Sequence, residues 1–323
     1  MWHAARAFFL EGGTRLWTVR VSRHGTNGEG ARPQAADFER GIALLDAIDE
    51  VAMIAAPGST FDAAGAFHAD AERISAALIT HAERTRYRIA VIDTPNGQSV
   101  AQTRAWRSSF TSSFGTLYFP WIKAADPSGG ELLLPPSGFV AGIYARSDME
   151  RGVHQSPANE PLRSAIGLEV AIDDAQAAAL DAEGISCIRG FAGRGIRAWG
   201  ARALSAHSDW KYINVRRCFL YLEKSIDRGV QWAVFEPNGE LLWQNVRRTV
   251  SDFLFNEWQT GALPATRAEE AFFVRCDRST MTQQDIDNGR VIVLVGVAPL
   301  KPAEFVMLRI VVQLACKIEP GSA

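Results

Sequence analysis

Few residues in this sequence combine types and spacing that could do chemistry, and the strongest combination is a glycine motif. Residues 193–198 (GRGIRA) match the GxGxxA pattern, in which the glycines let a backbone approach a pyrophosphate. In a dinucleotide-binding fold this motif must open a helix. The following residues 199–204 (WGARAL) contain an internal glycine and start a helix poorly. We therefore interpret residues 193–198 as a glycine-rich turn.

Nucleophiles and metal ligands are scattered along the chain. Ser99 lies in GQSVA, which lacks the second glycine of the GxSxG nucleophile elbow, and the six histidines occur in no triad-like or HExxH context. Asp93 follows a predicted strand, so it is either a catalytic acid by position or a cap or ion-pair partner. The sequence predicts no catalytic, cofactor or metal site and a protein that is not an enzyme.

Composition excludes further classes of protein. The chain has 323 residues, with 34 Lys and Arg against 36 Asp and Glu, so its net charge of −2 lacks the basic footprint of a nucleic-acid binder. No apolar stretch approaches the roughly 18 residues that span a bilayer, which predicts no direct membrane binding. The four cysteines lie far apart in apolar contexts, which is typical of free buried thiols in a reducing compartment.

The first two-thirds of the chain alternate strand and helix patterns. Apolar residues at 3–4 residue spacing predict helices, and short apolar runs that end at Pro or Gly predict strands. The predicted strands cover residues 15–21, 51–55, 88–92, 116–121 and 185–189, and the predicted helices cover residues 2–10, 37–48, 62–84, 100–112, 136–151 and 173–182. This alternation predicts an α/β domain with a mostly parallel sheet covered on both faces.

The pattern changes after about Ser205. One helical face is shared by Tyr212, Val215, Phe219, Leu222 and Ile226. Residues 230–235 are predicted to form a strand, and Asn238 is predicted to cap a long helix ending at Gly261. Three further strands are predicted, at residues 271–276, 291–297 and 305–315. This predicts a second, smaller α+β domain. Its last strand pairs either within its own sheet or with the sheet edge of a neighbouring chain.

Several long blocks of the sequence resemble the tail sheath proteins of contractile phage tails, R-type bacteriocins and phage-tail-like contractile injection systems. The blocks are residues 7–21 (AFFLEGGTRLWTVRV), 142–159 (GIYARSDMERGVHQSPAN), 199–204, 210–238, 270–290 and 295–310. The resemblance implies a subtilisin-like domain over residues 1–204 and a sheath C-terminal domain over residues 205–323. It also implies a structural protein that requires no cofactor.

The resemblance implies partners as well. Sheath subunits stack as six-membered rings around an inner tube, and the sheath contracts to drive the tube through a target envelope. The expected partners are further copies of the chain, the tube protein, and baseplate and tail terminator proteins, with no nucleic acid. Assembly is expected in the bacterial cytoplasm, as part of a phage tail or of an extracellular phage-tail-like particle.

The same resemblance implies which segments connect subunits. The strand expected to be donated to a neighbour comprises Glu304, Phe305, Val306, Met307, Leu308, Arg309, Ile310, Val311, Val312 and Gln313. The sheet expected to receive such a strand comprises Ala271, Phe272, Phe273, Val274, Arg275, Val291, Ile292, Val293, Leu294 and Val295. The cations expected to face the tube are Lys211, Arg216, Arg217, Lys224, Arg247 and Arg248, for each of which a solvated helix face is the alternative.

One departure from the family is expected. Sheath proteins carry several dozen residues before the helix that matches residues 2–10, including an N-terminal arm, whereas this sequence begins within that helix.

Two other functions remain as alternatives to a sheath subunit. The first is an α/β hydrolase or nucleotide-dependent enzyme, and the second is a prophage remnant that does not assemble.

Overall fold

The computed structural model describes residues 2–22, 33–61 and 70–299, together with the backbone of strand 306–313. These residues divide into two compact units, Met1–Cys218 and Phe219–Ala323. The division falls inside the helix Ile213–Gly229. It lies somewhat later than the boundary predicted between residues 204 and 205.

The secondary structure follows the predicted order in most places. The helices are α1 (Trp2–Leu10), α2 (Ala35–Ala43), α3 (Ala71–Thr85), α4 (Val100–Ser108), α5 (Pro136–Arg151), α6 (Asp174–Ala182), α7 (Ile213–Gly229), α8 (Glu240–Gln259), α9 (Ala268–Ala271) and α10 (Gln283–Asp287). The strands are β1 (Met53–Ile54), β2 (Ile89–Asp93), β3 (Gly115–Phe119), β4 (Ile122–Ala125), β5 (Glu131–Leu134), β6 (Glu160–Pro161), β7 (Ala165–Leu168), β8 (Ser186–Phe191), β9 (Gly195–Trp199), β10 (Phe272–Arg275), β11 (Arg290–Val297) and β12 (Val306–Gln313).

The first unit is built on a six-stranded sheet in the order β1-β2-β3-β8-β9-β6. The pairs β1–β2, β2–β3 and β3–β8 are parallel, and β8–β9 and β9–β6 are antiparallel. Every residue of β2 and β3 is buried, as expected for parallel strands covered on both faces. The predicted α/β class with a mostly parallel sheet is confirmed.

The first unit differs from prediction in a small sheet and in residues 15–21. Strands β5, β4 and β7 form a small antiparallel sheet that the sequence did not indicate. Residues 15–21, predicted as a strand, lie in no helix or strand, and Leu16 and Trp17 are exposed. An apolar alternating pattern yields a strand only where a neighbour pairs with its backbone. Of the helix predicted over residues 62–84, residues 62–69 lie outside the described residues.

Helices α1 and α5 approach each other closely at two glycines. An added Cβ at Gly138 would lie 2.7 Å from the Ala4 carbonyl oxygen, and one at Gly142 would collide with the Phe8 carbonyl oxygen. Backbone atoms cannot turn aside as a side chain can, so both positions require glycine for packing.

We expect Gly142→Ala to lower the free energy of unfolding by about 1–3 kcal/mol, because α1 must move away from α5 to admit the methyl group. Urea denaturation measures this loss. Gly190→Ala is the control, since a Cβ there meets no atom within 4 Å. Equal stabilities for the two variants would contradict the close approach.

The second unit contains the antiparallel sheet β10-β11-β12, with α8 in contact with β10 and α10 in contact with β11. All three predicted strands are confirmed. The strand predicted at residues 230–235 is wrong: residues Gln231–Ala233 form a 3₁₀ turn instead. A run of apolar residues this short fits either a strand or a buried turn, and its periodicity does not separate them.

The long helix α8 is confirmed, but its N-cap is Gly239 rather than Asn238. The Asn238 side chain accepts a hydrogen bond from Trp243 Nε1 at 2.8 Å and donates one to the Ile286 carbonyl oxygen at 3.1 Å. Asn238 therefore fixes the preceding loop to the start of α8 and to α10.

Candidate functional site

The sheet of the second unit is the first candidate assembly site. Strand β11 lies between β10 and β12, and Val291, Val293 and Val295 are almost completely buried. The Thr280 hydroxyl donates a hydrogen bond to the Ile292 carbonyl oxygen at 2.9 Å and anchors β11. Because the order is β10-β11-β12, neither outer edge has a neighbouring strand within the described part of the chain.

The predicted donor strand pairs within its own chain. Residues 306–313 form β12 and pair antiparallel with β11 over its full length, from Val306 opposite Val297 to Gln313 opposite Arg290. Glu304 and Phe305 lie outside the described residues. Of the predicted receiving residues, Ala271 ends the short helix α9, and the others lie on β10 and β11.

Two of the predicted tube-facing cations make internal contacts. Arg217 is buried, forms an ion pair with Asp148 on α5 and stacks 4.6 Å from the Tyr144 ring centroid. Arg216 stacks on Phe114 at 3.8 Å and on Trp210 at 4.7 Å. These contacts favour a role for both arginines in packing α7 within the first unit.

The remaining cations are more accessible. Lys211, Arg247 and Arg248 are exposed, and Lys224 is half-buried. Arg248 lies 3.8 Å from Asp252, one turn further along α8, in an exposed ion pair that contributes little to stability. Arg247 and Arg248 are therefore available to a partner at low cost.

A buried ion pair that no sequence pattern indicated joins two of the resembling blocks. Arg146, in the block of residues 142–159, lies 3.4 Å from the Glu11 carboxylate. It donates hydrogen bonds to the Glu11 carbonyl oxygen at 2.6 Å and to the Pro161 carbonyl oxygen at 2.8 Å. The Glu11 carboxylate also accepts bonds from the backbone amides of Arg163 and Ser164, each at 2.9 Å. These residue types carry no local spacing signal, since the partners lie over 130 positions apart.

The candidate chemical motifs have structural roles. Of residues 193–198, interpreted as a glycine-rich turn, only the first two lie in the β8–β9 hairpin turn, and residues 195–198 belong to strand β9. The φ angles of Gly193 and Gly195 are positive, as the tight turn requires. Ser99 caps α4 through a capping box with Gln102. Within the described ranges, no group of three His, Cys, Asp or Glu side chains is arranged to hold a metal ion.

Two of the described cysteines are buried thiols that form no disulfide. Cys187 and Cys276 are buried, and burial raises the pKa of each to about 12. A thiol with so high a pKa carries almost no thiolate at neutral pH and is a poor nucleophile.

Asp93 joins the end of β2 to the start of α5. Its carboxylate accepts hydrogen bonds from the Ser137 amide at 2.8 Å and the Ser137 hydroxyl at 2.6 Å. Burial raises the pKa of this carboxyl to about 7, and the two bonds from Ser137 oppose the rise. The geometry favours the capping interpretation of Asp93 over the catalytic one.

We compare the free energies of unfolding of Asp93→Asn and wild type. The difference should shift in favour of the variant by about 2–3 kcal/mol between pH 5 and pH 8. Folding raises the pKa of Asp93 from 3.8 to about 7, so the folded state holds a proton that the unfolded state releases between these values. Wild-type stability therefore falls as pH rises through this window, while the amide has no proton to lose. Urea denaturation at both pH values tests this, and a difference that does not change with pH would contradict it. Exposed Asp252→Asn is the control.

Comparisons with known proteins identify the family. The model for the phage tail sheath protein central domain matches residues 39–204, and the model for the phage tail sheath C-terminal domain matches residues 205–313. The chain belongs to the phage tail sheath family. The resemblance seen in the sequence is thereby confirmed.

Curated sheath relatives match part of the chain. The tail sheath protein of Burkholderia phage BcepMu is 31% identical over 186 residues, which are 51% of this chain and 38% of that protein. A putative prophage major tail sheath protein of Pseudomonas aeruginosa is 27% identical over 174 residues, 52% of this chain and 44% of that one. The chain thus spans less than half the length of these relatives.

Chains of solved contractile assemblies match almost the whole of this chain. A chain of the anti-feeding prophage helical sheath in its contracted state is 32% identical, with a TM-score of 0.77, and the match covers 95% of this chain and 80% of that one. A chain of the PVC extracellular contractile injection system sheath, also contracted, is 31% identical with the same TM-score, and the match covers 95% of this chain and 78% of that one.

No helix in the described part of the chain is both long and apolar enough to cross a membrane.

Proposed function

We propose that this chain is the structural subunit of a contractile sheath, stacked as six-membered rings around an inner tube that contraction drives through a target envelope. The observation that carries the proposal is the match of two sheath-domain models over residues 39–313. Similarity to chains of contracted sheaths supports it. The proposed partners are further copies, a tube protein and, since one similar chain comes from an anti-feeding prophage baseplate, a baseplate. The proposed location is a phage tail or an extracellular injection particle.

The proposed connection between subunits is exchange of β12. The eight-residue pairing of β12 with β11 in one chain supports this, because a neighbour's β12 can use the same hydrogen bonds and the same register. Exchange then replaces the contacts between β12 and its own β11 with the same contacts to a neighbour's β11. It links the chains without requiring any further interface. The segments involved are residues 304–313 as donor and residues 271–275 and 291–295 as receiver, within a functional domain spanning residues 205–323.

The proposed tube contact is electrostatic. Lys211, Arg247 and Arg248 are exposed on the C-terminal part of the chain and suit an acidic tube surface, with half-buried Lys224 as a further candidate. The internal contacts of Arg216 and Arg217 weaken the case for those two residues.

The proposed contraction requires no cofactor or nucleotide. Its free energy comes from the difference in subunit packing between the extended and the contracted sheath. Ultracentrifugation of the chain with and without a cognate tube protein tests the proposal. A pelleted polymer that contains both proteins is expected. Monomeric chain at all concentrations, with the tube protein present, would overturn the proposal and reopen the enzyme and remnant interpretations.

A further inference from the structure

The first unit contains a buried histidine whose two ring nitrogens both have polar neighbours. His81 lies on α3 and is 3% exposed. Its Nε2 is 2.7 Å from Nη1 of Arg88, the residue before β2. Its Nδ1 is 3.3 Å from Asp46 Oδ1 and 3.4 Å from Arg84 Nη2. The ring therefore joins α3 to two other segments of the first unit.

These neighbours determine the protonation state of the ring. A guanidinium can only donate, so Nε2 must accept the hydrogen bond from Arg88 and carries no proton. The single proton of the neutral ring then lies on Nδ1 and points to the Asp46 carboxylate. Burial and the adjacent Arg88 guanidinium lower the pKa of His81, and Asp46 opposes this effect. The ring is therefore predominantly neutral at neutral pH.

The same side chains hold the segment that leads into β1. Arg88 is 4% exposed, and its Nη2 donates a hydrogen bond to the Ile48 carbonyl oxygen at 2.5 Å. Asp46 lies in the short 3₁₀ turn Leu44–Ala47 of this segment. Strand β1 pairs with β2 through two residue pairs, so its backbone attachment is short. The contacts around His81 therefore contribute much of what fixes residues 44–54 at the sheet edge.

We propose that His81, Arg88, Arg84 and Asp46 form an acid-sensitive latch that holds residues 44–54 against α3. A proton added at Nε2 would face an N–H group of Arg88, so the hydrogen bond between them is lost and two positive charges lie side by side in a buried site. The carboxylates of Asp46 and Asp49 favour the charged Arg88 but cannot replace that bond. Protonation therefore releases the segment. This inference does not depend on the proposed function.

The latch should open as the pH falls below about 6.5. His81 in the open segment has the ordinary histidine pKa of 6.5, whereas in the closed segment its pKa is lower. The open form therefore binds the proton, and the stability of the closed form is complete above this pH and decreases below it.

Hydrogen–deuterium exchange, corrected for the intrinsic effect of pH, measures this opening. The amides of residues 44–54 should lose protection at least about tenfold between pH 7.5 and pH 5. The measurement is local, which separates the latch from Asp93, whose proton changes global stability in the opposite direction.

Replacement of the histidine tests its role directly. His81→Gln should abolish the loss of protection, because an amide can accept from Arg88 and donate to Asp46 but does not titrate. His207→Gln is the matched control and should retain the loss, since the His207 side chain is 65% exposed. An equal loss in wild type and His81→Gln, or unchanged protection in wild type, would overturn the latch.

Two variants that retain His81 decide the case if His81→Gln does not fold. Both alter partly exposed side chains. Asp46→Asn removes a carboxylate that favours the imidazolium, so opening should move to lower pH. Arg84→Gln removes a cation that disfavours the imidazolium, so opening should move to higher pH. Shifts in the same direction, or no shift in either variant, would overturn the latch and leave the proposed function intact.

Discussion

Arg146→Met is expected to lower the free energy of unfolding by about 3–5 kcal/mol. The Glu11 carboxylate is fully buried, and Arg146 is the cation beside it, at 3.4 Å. Methionine fills similar volume but supplies no charge, so the buried carboxylate loses its cation and keeps only the hydrogen bonds from Arg163 and Ser164. The carbonyl oxygens of Glu11 and Pro161 lose their donors as well. Urea denaturation followed by tryptophan fluorescence measures the loss.

Two further variants separate this ion pair from simple loss of packing. Adding Glu11→Gln to Arg146→Met should recover part of the stability, because the uncompensated charge is then removed. Arg248→Met is the matched control, since the Arg248 side chain is 83% exposed and its loss should cost less than about 1 kcal/mol. Similar losses for Arg146→Met and Arg248→Met would contradict the structural role of the buried pair.

Assembly is expected to convert a crosslink within one chain into a crosslink between chains. Leu294 on β11 lies directly opposite Arg309 on β12. Cysteines at both positions would be close enough for a short bifunctional thiol crosslinker. If β12 is exchanged, crosslinked polymer should run as a ladder of covalent multimers on a denaturing gel, with almost no monomer remaining. The same variant below its critical concentration should give only monomer with an internal crosslink.

The single variants Leu294→Cys and Arg309→Cys control for reaction with the native cysteines and should give no ladder. Polymer in which all double-variant protein remains monomeric would show that each β12 stays with its own β11. Exchange of β12 would then be excluded, while the sheath assignment would stand on the family match.

Long apolar patterns in the sequence predicted most of the fold. Strands β2, β3, β8, β10, β11 and β12 and helices α1, α5, α6 and α8 arise where expected because their patterns persist over whole elements. The strands predicted at residues 15–21 and 230–235 were wrong, because a short apolar run does not specify whether a pairing partner exists. The sheet β5-β4-β7 was missed for the converse reason, as its strands are short and partly exposed.

The family could be recognised from sequence, but the contacts of individual residues could not. Arg146 and Arg217 look like surface cations on helices, yet each is buried against a carboxylate far away in the sequence. The exposure of Phe235 was hidden for a different reason. Phe235 is 81% exposed, yet it lies in an apolar run that the sequence does not distinguish from a strand.

Negative-stain electron microscopy of the chain mixed with a cognate tube protein tests whether this chain is a sheath subunit. Hollow tubes with regular transverse striations are expected, since rings would stack around a core. Separate particles of uniform size, together with bare tubes, would contradict it.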